Sequence, residues 1–487
     1  MRNYRMVGFV VGRVFLVEAA AMLFPLAVGL MYREHQTLSF LIPILLLLGL
    51  GLLLSLKTPQ DRAIYARDGL AAVAFSWIFL SAFGALPFFL SGAVPNYIDC
   101  FFEAVSGFTT TGASILTDVE AMSRGLLFWR SFTHWLGGMG VLVFVMTILP
   151  TANDGHSMHL MRAEVPGPVV GKLVSRMKTS AKILYGIYAV MTLIEIGLLL
   201  AGGMSLFDAC INSFGSAGTG GFSHYALSIG HYNNLYFEIV IGVFMLLFGV
   251  NFNLYYFLLV GKVREVLRSE ELRVYLGIVG ASVLMIAANI ASHFGSFWTG
   301  LRYSFFQVAS IITTTGYSTC DFNLWPAFSR ALLVILMFIG GCAGSTAGGL
   351  KVARVAILFK GAIRDMKKML HPNAVSSVHF ERKPLDEKTM HGVNVYFVTF
   401  SLVFTVIFAL LCLDCNDLLT NFTALAATIN NIGPGLGAVG PMGSFAVYSP
   451  LSTLLLSFAM LLGRLEIFPI LLLLAPSMWS RRAFRKK

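Results

Sequence analysis

The sequence predicts an all-α polytopic membrane protein in which four pseudo-symmetric helix–loop–helix repeats follow two extra transmembrane helices. Three observations carry that reading. Of 487 residues, 57% are hydrophobic and only 12% charged, against roughly 25% charged in a soluble chain. Ten apolar runs are long enough to cross a bilayer. The connections between alternate pairs of these runs repeat one pattern, an apolar stretch ending in polar residues and then Gly.

A membrane helix needs about 20 mainly apolar residues. Such runs lie at 8–32, 38–55, 69–91, 126–149, 181–203, 233–260, 274–292, 326–350, 391–413 and 448–476. The first run has no obvious small-residue cleavage site and is followed at once by the second, so it reads as a retained span rather than a signal peptide. The spans divide the chain into an N-terminal hairpin, 1–68, and repeats at 69–180, 181–273, 274–390 and 391–487.

A formal charge of +11 admits either an anionic partner such as nucleic acid or the cytoplasmic bias of a membrane protein. Position decides between them. With the N-terminus inside, the cytoplasmic segments are 1–7, 56–68, 150–182, 261–273, 351–390 and 477–487, and these hold 28 of the 35 Lys and Arg residues. Arg33, Arg124, Arg130, Arg302 and Arg330 fall outside these segments, and Arg13 and Arg464 within spans. The positive-inside rule therefore places both termini in the cytoplasm. The basic loops are short and lack the aromatic platform of a nucleic-acid site, so no such partner is expected.

Cys100, Cys210, Cys320, Cys342, Cys412 and Cys415 are too few for a disulfide scaffold, and Cys412–Cys415 is a lone CxxC. They read as small packing residues near helix ends.

The four outer connections, 92–125, 204–232, 293–325 and 414–447, are too apolar for ordinary loops. Phe102-Glu103-Ala104-Val105-Ser106-Gly107-Phe108-Thr109-Thr110-Thr111-Gly112 aligns without a gap on Phe306-Gln307-Val308-Ala309-Ser310-Ile311-Ile312-Thr313-Thr314-Thr315-Gly316. The second connection, through Gly218-Thr219-Gly220-Gly221, and the fourth, through Asn430-Asn431-Ile432-Gly433-Pro434, keep the same order with short insertions. The pattern describes a half-spanning helix that enters from outside and a non-helical strand that returns. Such backbone exists at membrane depth only where it is buried or lines a water-filled cavity. Gly at the turn allows positive φ, so that carbonyl oxygens can face an axis, and Thr hydroxyls can join the lining. The helix C-terminus, partly negative, favours a cation there. Four such loops make a ring able to replace the hydration shell of a K⁺-sized ion. Each repeat has an even number of spans, so all four loops enter from one face, unlike the halves of inverted-repeat carriers.

On these loops, the extra pair of spans and the run Gly463-Arg464-Leu465-Glu466-Ile467-Phe468, the full chain resembles the Trk/Ktr/HKT superfamily of potassium transporters, most nearly its TrkH/TrkG-type bacterial uptake proteins. The resemblance implies helix–pore loop–helix repeats and a K⁺ filter formed by Thr110, Thr111, Gly112, Gly218, Thr219, Gly220, Thr314, Thr315, Gly316, Asn431, Ile432 and Gly433. The backbone carbonyls of Thr111, Thr219, Thr315 and Ile432 are then the expected K⁺ ligands. Plant relatives that prefer Na⁺ have Ser at the first filter glycine, so Gly112 implies K⁺. The fourth loop departs from Thr-Gly but is similar to the TrkH-type fourth repeat. The resemblance further implies one permeation path per chain, association of two chains, a cytosolic TrkA-type nucleotide-binding ring docked on the long basic loops, and a bacterial inner-membrane location. No cofactor is expected in this chain, and K⁺ is the transported ion.

The eighth span contains Gly340, Gly341, Gly344, Ser345, Thr346, Gly348 and Gly349. Gly340, Gly344 and Gly348 fit close helix packing, while the other glycines and the small polar residues fit an unwound segment. The resemblance favours a flexible intramembrane loop that obstructs the pore. The stretch is not a nucleotide P-loop, because Gly-Leu-Lys-Val lacks the Gly-Lys-Ser/Thr ending. Arg464 is a costly intramembrane charge that marks function by default. Its alternatives are an ion pair with Glu466 or bonds to loop carbonyls, and in relatives the matching Arg obstructs the path.

Asp118 and Asp321 follow their filter glycines closely and can either concentrate cations or be solvated loop carboxylates. Glu103 and Asp208 read as structural acids near the starts of half-helices, and His134 as a packed core residue. The rival reading is a Na⁺- or H⁺-coupled potassium symporter, which would show a buried acidic coupling site that the filter loops lack. An intramembrane enzyme is a distant third, for want of paired carboxylates, a metal set or a Ser/Lys pair.

Overall fold

The computed structural model describes residues 4–56, 59, 66–140, 177–372 and 377–476. The segments 141–176 and 477–487, with the basic residues and the end of the fourth predicted span that they contain, lie outside the described residues. Within the described residues the chain is helical, apart from one antiparallel hairpin, β1 (His379–Phe380) and β2 (Lys383–Pro384).

An N-terminal pair, α1 (Tyr4–Met31) and α2 (Leu41–Ser55), packs beside the rest. The first repeat comprises α3 (Ala66–Gly84), the half-length α4 (Tyr97–Phe108) and α5 (Arg124–Gly138). In the second, α6 (Met177–Ala201) leads to half-length α7 (Leu206–Gly218), then α8 (Leu235–Phe248) and α9 (Phe252–Leu259). The third has α10 (Glu270–Phe294), α11 (Phe297–Ile312), α12 (Ala327–Ile339) and α13 (Val352–Leu370). The fourth has α14 (Glu387–Leu411), α15 (Leu418–Ile429), α16 (Pro450–Arg464) and α17 (Phe468–Leu474). Side-chain caps start the half-helices α4, α7 and α15: Asn96, Ser205 and Asp417 each accept a first-turn N–H, satisfying donors that a helix start leaves free.

Among the described residues, six helical runs are long and apolar enough to cross a membrane: Tyr4–Met31, His35–Ser55, Asp68–Leu90, Ala181–Ala201, Glu270–Phe294 and Glu387–Leu411. The remaining four predicted spans, 126–149, 233–260, 326–350 and 448–476, are not continuous helices. Their inner helices α5, α8, α12 and α16 stop after 15, 14, 13 and 15 residues, and the chain bends by 93° between α8 and α9. Each stop falls at or beside a glycine: Gly138, Gly249, Gly340 and Gly463. A side chain at Gly463 would run into the Ile429 carbonyl, and one at Gly137 into the Phe108 carbonyl, so these glycines let inner-helix ends press against the ends of the half-helices. Hydropathy does not register the breaks, because the residues beyond them are apolar too.

Candidate functional site

The four half-helices end in the same way. At the end of α4, Thr110 N–H donates to the Gly107 carbonyl and Thr111 N–H to the Ser106 carbonyl. The same three-back and five-back pair recurs at Thr219 and Gly220, at Thr314 and Thr315, and at Asn431 and Ile432. This is the Schellman arrangement, whose first residue past the helix takes the left-handed conformation. Here that residue is Thr110 (φ 55°), Thr219 (φ 55°), Thr314 (φ 58°) and Asn431 (φ 56°). Glycine or Asn usually fills the place, whereas a β-branched residue with positive φ is strained, by about 1–3 kcal/mol each. Such strain persists only where the surroundings enforce it.

The next residues, Gly112 (φ 77°), Gly221 (φ 76°) and Gly316 (φ 88°), also have positive φ. A Cβ on Gly112 would collide with the Gly220 carbonyl oxygen, one on Gly221 with that of Thr315, one on Gly316 would lie 2.8 Å from Gly433 N, and one on Gly433 2.9 Å from the Gly112 oxygen. Each loop thus touches the next, in the order first, second, third, fourth and back to the first. The ring closes on the outer side as well. Arg130 Nη1 donates to the Ser223 carbonyl (2.8 Å), Gly230 N–H to Ser318 (3.1 Å), Gly437 N–H to Asn323 Oδ1 (2.9 Å) and Phe445 N–H to Ser114 (3.0 Å).

This frame moves the second loop by one residue from its sequence alignment. Gly221, not Gly220, stands with Gly112, Gly316 and Gly433. Gly220 stands with Thr111, Thr315 and Ile432, while Thr219 stands with Thr110, Thr314 and Asn431, and Gly218 lies in the last turn of α7. The Thr111 and Thr315 hydroxyls are turned into their own loops, 2.8 Å from the hydroxyls of Thr109 and Thr313, and Asn431 Nδ2 donates to Thr111 Oγ1. They brace the turns, so the oxygens free to face the axis are carbonyls.

Beneath the ring, residues 340–351 form no helix. Gly340, Gly344 and Gly349 have positive φ, and Ser345 Oγ donates to the Cys342 carbonyl. Gly341 packs so closely on the loop that a Cβ there would lie 2.6 Å from Ala347 Cβ. The segment is tied to the third turn of the ring, where Gly348 N–H donates to Thr314 Oγ1 at 2.6 Å, and to the end of α8, where Thr346 Oγ1 donates to the Phe248 carbonyl at 3.2 Å. Arg464, 7% exposed, donates to Thr110 Oγ1 (3.2 Å) and to the carbonyls of Thr346 (2.9 Å), Gly138 (2.7 Å) and Gly137. Its carboxylate alternative is corrected by the geometry, since Glu466 pairs with Arg354 at 2.6 Å instead. Buried Lys351 donates to the Ala347 carbonyl. The sequence placed Lys351 among cytoplasmic loop charges, and its position at the end of the Gly-rich run was the signal of a different role.

Other expectations change. Glu103 lies in the middle of α4 rather than near its start. Its carboxylate pairs with Arg130 and accepts from Ser114 Oγ (3.1 Å) and Ile115 N–H (3.0 Å). Arg130 in turn lies 3.5 Å over the Phe222 ring. His134 is more than packing. Phe222 N–H donates to its Nε2 (3.2 Å), which puts the ring proton on Nδ1, facing the Gly107 carbonyl at 2.8 Å. Arg130 and His134 therefore join the first loop to the second. Asp208 stays in the first turn of α7, paired with His224 at 2.9 Å. Asp118 accepts from the N–H groups of Glu120 and Ala121, and Asp321 caps a short 3-10 turn, so both are occupied by local turns. Cys100 and Cys342 are buried, but Cys412 and Cys415 are exposed rather than packed. No cluster of metal-ligating side chains occurs among the described residues.

A closed ring of four turns thus stands against a non-helical segment and a buried arginine. The family model described as a cation transport protein, TrkH, matches residues 38–486. The chain belongs to the TrkH family of cation transport proteins. Over 484 residues it is 36% identical to the Trk system potassium uptake protein TrkH of Salmonella typhimurium, covering 98% of this chain and 99% of that one. It is 34% identical to the TrkG protein of Escherichia coli K12, with the same coverage. The crystal structure of the potassium transporter TrkH from Vibrio parahaemolyticus superposes with a TM-score of 0.88 at 32% identity, covering 98% of this chain and all of that one. The family is one of membrane transporters, not enzymes.

Two outcomes test the site. Gly221→Ala places a methyl group against the Thr315 carbonyl at positive φ and is expected to abolish cation flux; a variant that conducts normally contradicts the register. Glu103→Ala leaves the Arg130 guanidinium buried without its partner, a loss of about 3–5 kcal/mol, and is expected to lower the melting temperature in detergent. An unchanged melt contradicts the bracing role.

Proposed function

We propose that the chain carries K⁺ into the cell through the four-loop ring by a channel-like path, with the 340–351 segment and Arg464 as its gate. The observation that carries this is the closed ring of four turns with the same hydrogen-bond pattern and left-handed residue; on this reading the carbonyls of Thr111, Gly220, Thr315 and Ile432 face the ion. Four carbonyl edges suit an ion of K⁺ size, and the relatives are named potassium uptake proteins.

Arg464 suits the gate for an electrostatic reason. A K⁺ about 5 Å from a guanidinium meets on the order of 3 kcal/mol of repulsion at an effective dielectric of about 20, and the 340–351 backbone fills the same space. The filter and gate share hydrogen bonds at Thr110 and Thr314, so movement of the plug frees both strained turns. The basic bias of the inner loops supports an inner-membrane orientation with both termini cytoplasmic. The long basic loops suit a cytosolic TrkA-type nucleotide-binding ring, and association of two chains fits the family, with the repeats divided at 69, 181, 274 and 391.

One observation favours the coupled symporter as a second reading. Glu195 is wholly buried in α6, which packs against α7; among the described residues its carboxylate oxygens accept no hydrogen bond and no cation pairs with it. It is an acid behind the second filter loop, and intramembrane acids mark proton relays.

Uptake of radiolabelled Rb⁺ into liposomes separates the readings. Uptake that follows the K⁺ gradient alone, and is unchanged by an imposed Na⁺ or H⁺ gradient, is expected; accumulation against the K⁺ gradient contradicts the channel-like path. Arg464→Ala is expected to raise basal flux on the order of 100-fold, the factor corresponding to removal of that repulsion; native flux from a normally assembled protein contradicts the gate. Gly112→Ser is expected to weaken the preference for K⁺ over Na⁺, measured as the ratio of the two uptake rates, and an intact preference contradicts the filter.

A further inference from the structure

We infer that Glu271 and the 378–385 hairpin form a clamp that holds the 340–351 segment in its obstructing position from the cytoplasmic side. The inference rests on the gate reading above and adds the positioning residues that set the gate.

Glu271 lies in the first turn of α10 and is buried. Its carboxylate accepts the Ala343 N–H at 2.6 Å. One side chain thus holds the gate segment near its start. Backbone that leaves a helix inside a membrane protein needs donors and acceptors from its surroundings, and a carboxylate is a stronger partner for N–H groups than a neutral acceptor.

The start of α10 is in turn fixed by the hairpin. Glu381 Oε1 accepts from Ser269 Oγ (2.8 Å) and from Glu271 N–H (3.0 Å). Glu381 N–H donates to Glu270 Oε2 at 3.2 Å. Lys360 of α13 pairs with Glu270 and donates to the His379 carbonyl at 2.8 Å. Glu381 (φ 49°) and Arg382 (φ 62°) form the two-residue turn between β1 and β2, where positive φ at both positions matches strand twist. Arg382 and Lys383 are exposed.

An independent observation points the same way. Val378 and Phe380 of the hairpin share one apolar cluster with Ala343 of the gate segment and Ala353 of α13. The hairpin is therefore joined to the segment through this shared cluster as well as through Glu381, α10 and Glu271. A displacement of the hairpin disturbs the cluster that contains Ala343 and, through the start of α10, the carboxylate that accepts the Ala343 N–H. Neither Glu271 nor Glu381 touches the ion path, so both act by position.

The test is Rb⁺ flux through the full chain in liposomes with no cytosolic protein added. Glu271→Ala is expected to raise basal flux about tenfold or more, the scale of losing a charge-assisted hydrogen bond, while Glu271→Gln, which keeps an acceptor oxygen, stays within about twofold of native. Glu381→Ala is expected to raise flux too, and the double variant to exceed Glu271→Ala by no more than about twofold, since both break one route. Native flux from assembled Glu271→Ala, with Arg464→Ala raised, overturns the clamp and leaves the gate. Native flux from both overturns the gate itself. Should Glu271→Ala fail to assemble, Phe380→Ala probes the same link from the hairpin: raised flux supports the clamp and native flux overturns it.

Discussion

Four inner helices stop partway across the membrane, and each leaves carbonyl groups that must find donors where water is scarce. The last four carbonyls of any helix lack partners within it, and each one left unsatisfied in a membrane interior costs several kcal/mol. At the end of α5 the Gly137 and Gly138 carbonyls take Arg464, and at the end of α8 those of Phe248 and Gly249 take Thr346 Oγ1 and Cys342 N–H. Past α12 the Phe338 and Gly341 carbonyls take the N–H groups of Leu350 and Val352. The donors come from Arg464 and from the same non-helical segment that lies under the filter turns. A plug that merely filled space could be lost at little cost, whereas this one completes the backbone hydrogen bonding of its neighbours and is held by it.

The strained turns follow from the same constraint. Thr110, Thr219 and Thr314 hold a conformation that β-branched residues avoid, and two of the three are gripped from below, Thr110 by Arg464 and Thr314 by Gly348. From outside, the Glu103–Arg130 pair and His134 fix the first loop against the second. The ring is thus set by contacts on both faces, and its geometry depends on the plug as well as on the half-helices. On the proposed function, that dependence makes filter and gate one mechanical unit on which the inferred clamp at Glu271 acts.

Much of this was legible in the sequence. The apolar runs, the gapless match of Phe102–Gly112 to Phe306–Gly316 and the Gly-rich stretch after Ile339 name the elements, because composition and repetition are local signals. What was illegible depends on partners far apart in the chain. The second loop ends in Gly220-Gly221, so two frames fit its sequence equally, and only the hydrogen bonds to Gly215 and Ser216 separate them. The breaks in the inner helices are hidden because apolar residues continue past them. Arg130, His134 and Lys351 look like a stray charge, a core residue and a loop cation until the fold brings Glu103, Phe222 and Ala347 to them. Likewise Glu466 stands two residues from Arg464 in sequence, yet it lies past the end of α16 in a turn with φ 54° and pairs with Arg354.

The most direct test of the central claim is the anomalous scattering of Rb⁺ in crystals of the full chain grown in its presence. A peak on the ring axis at the level of the Thr111, Gly220, Thr315 and Ile432 carbonyls is expected, with none between the ring and the 340–351 segment where Arg464 stands. Rb⁺ bound away from that axis, or seated beside Arg464 with the axis empty, would contradict the assignment of filter and plug.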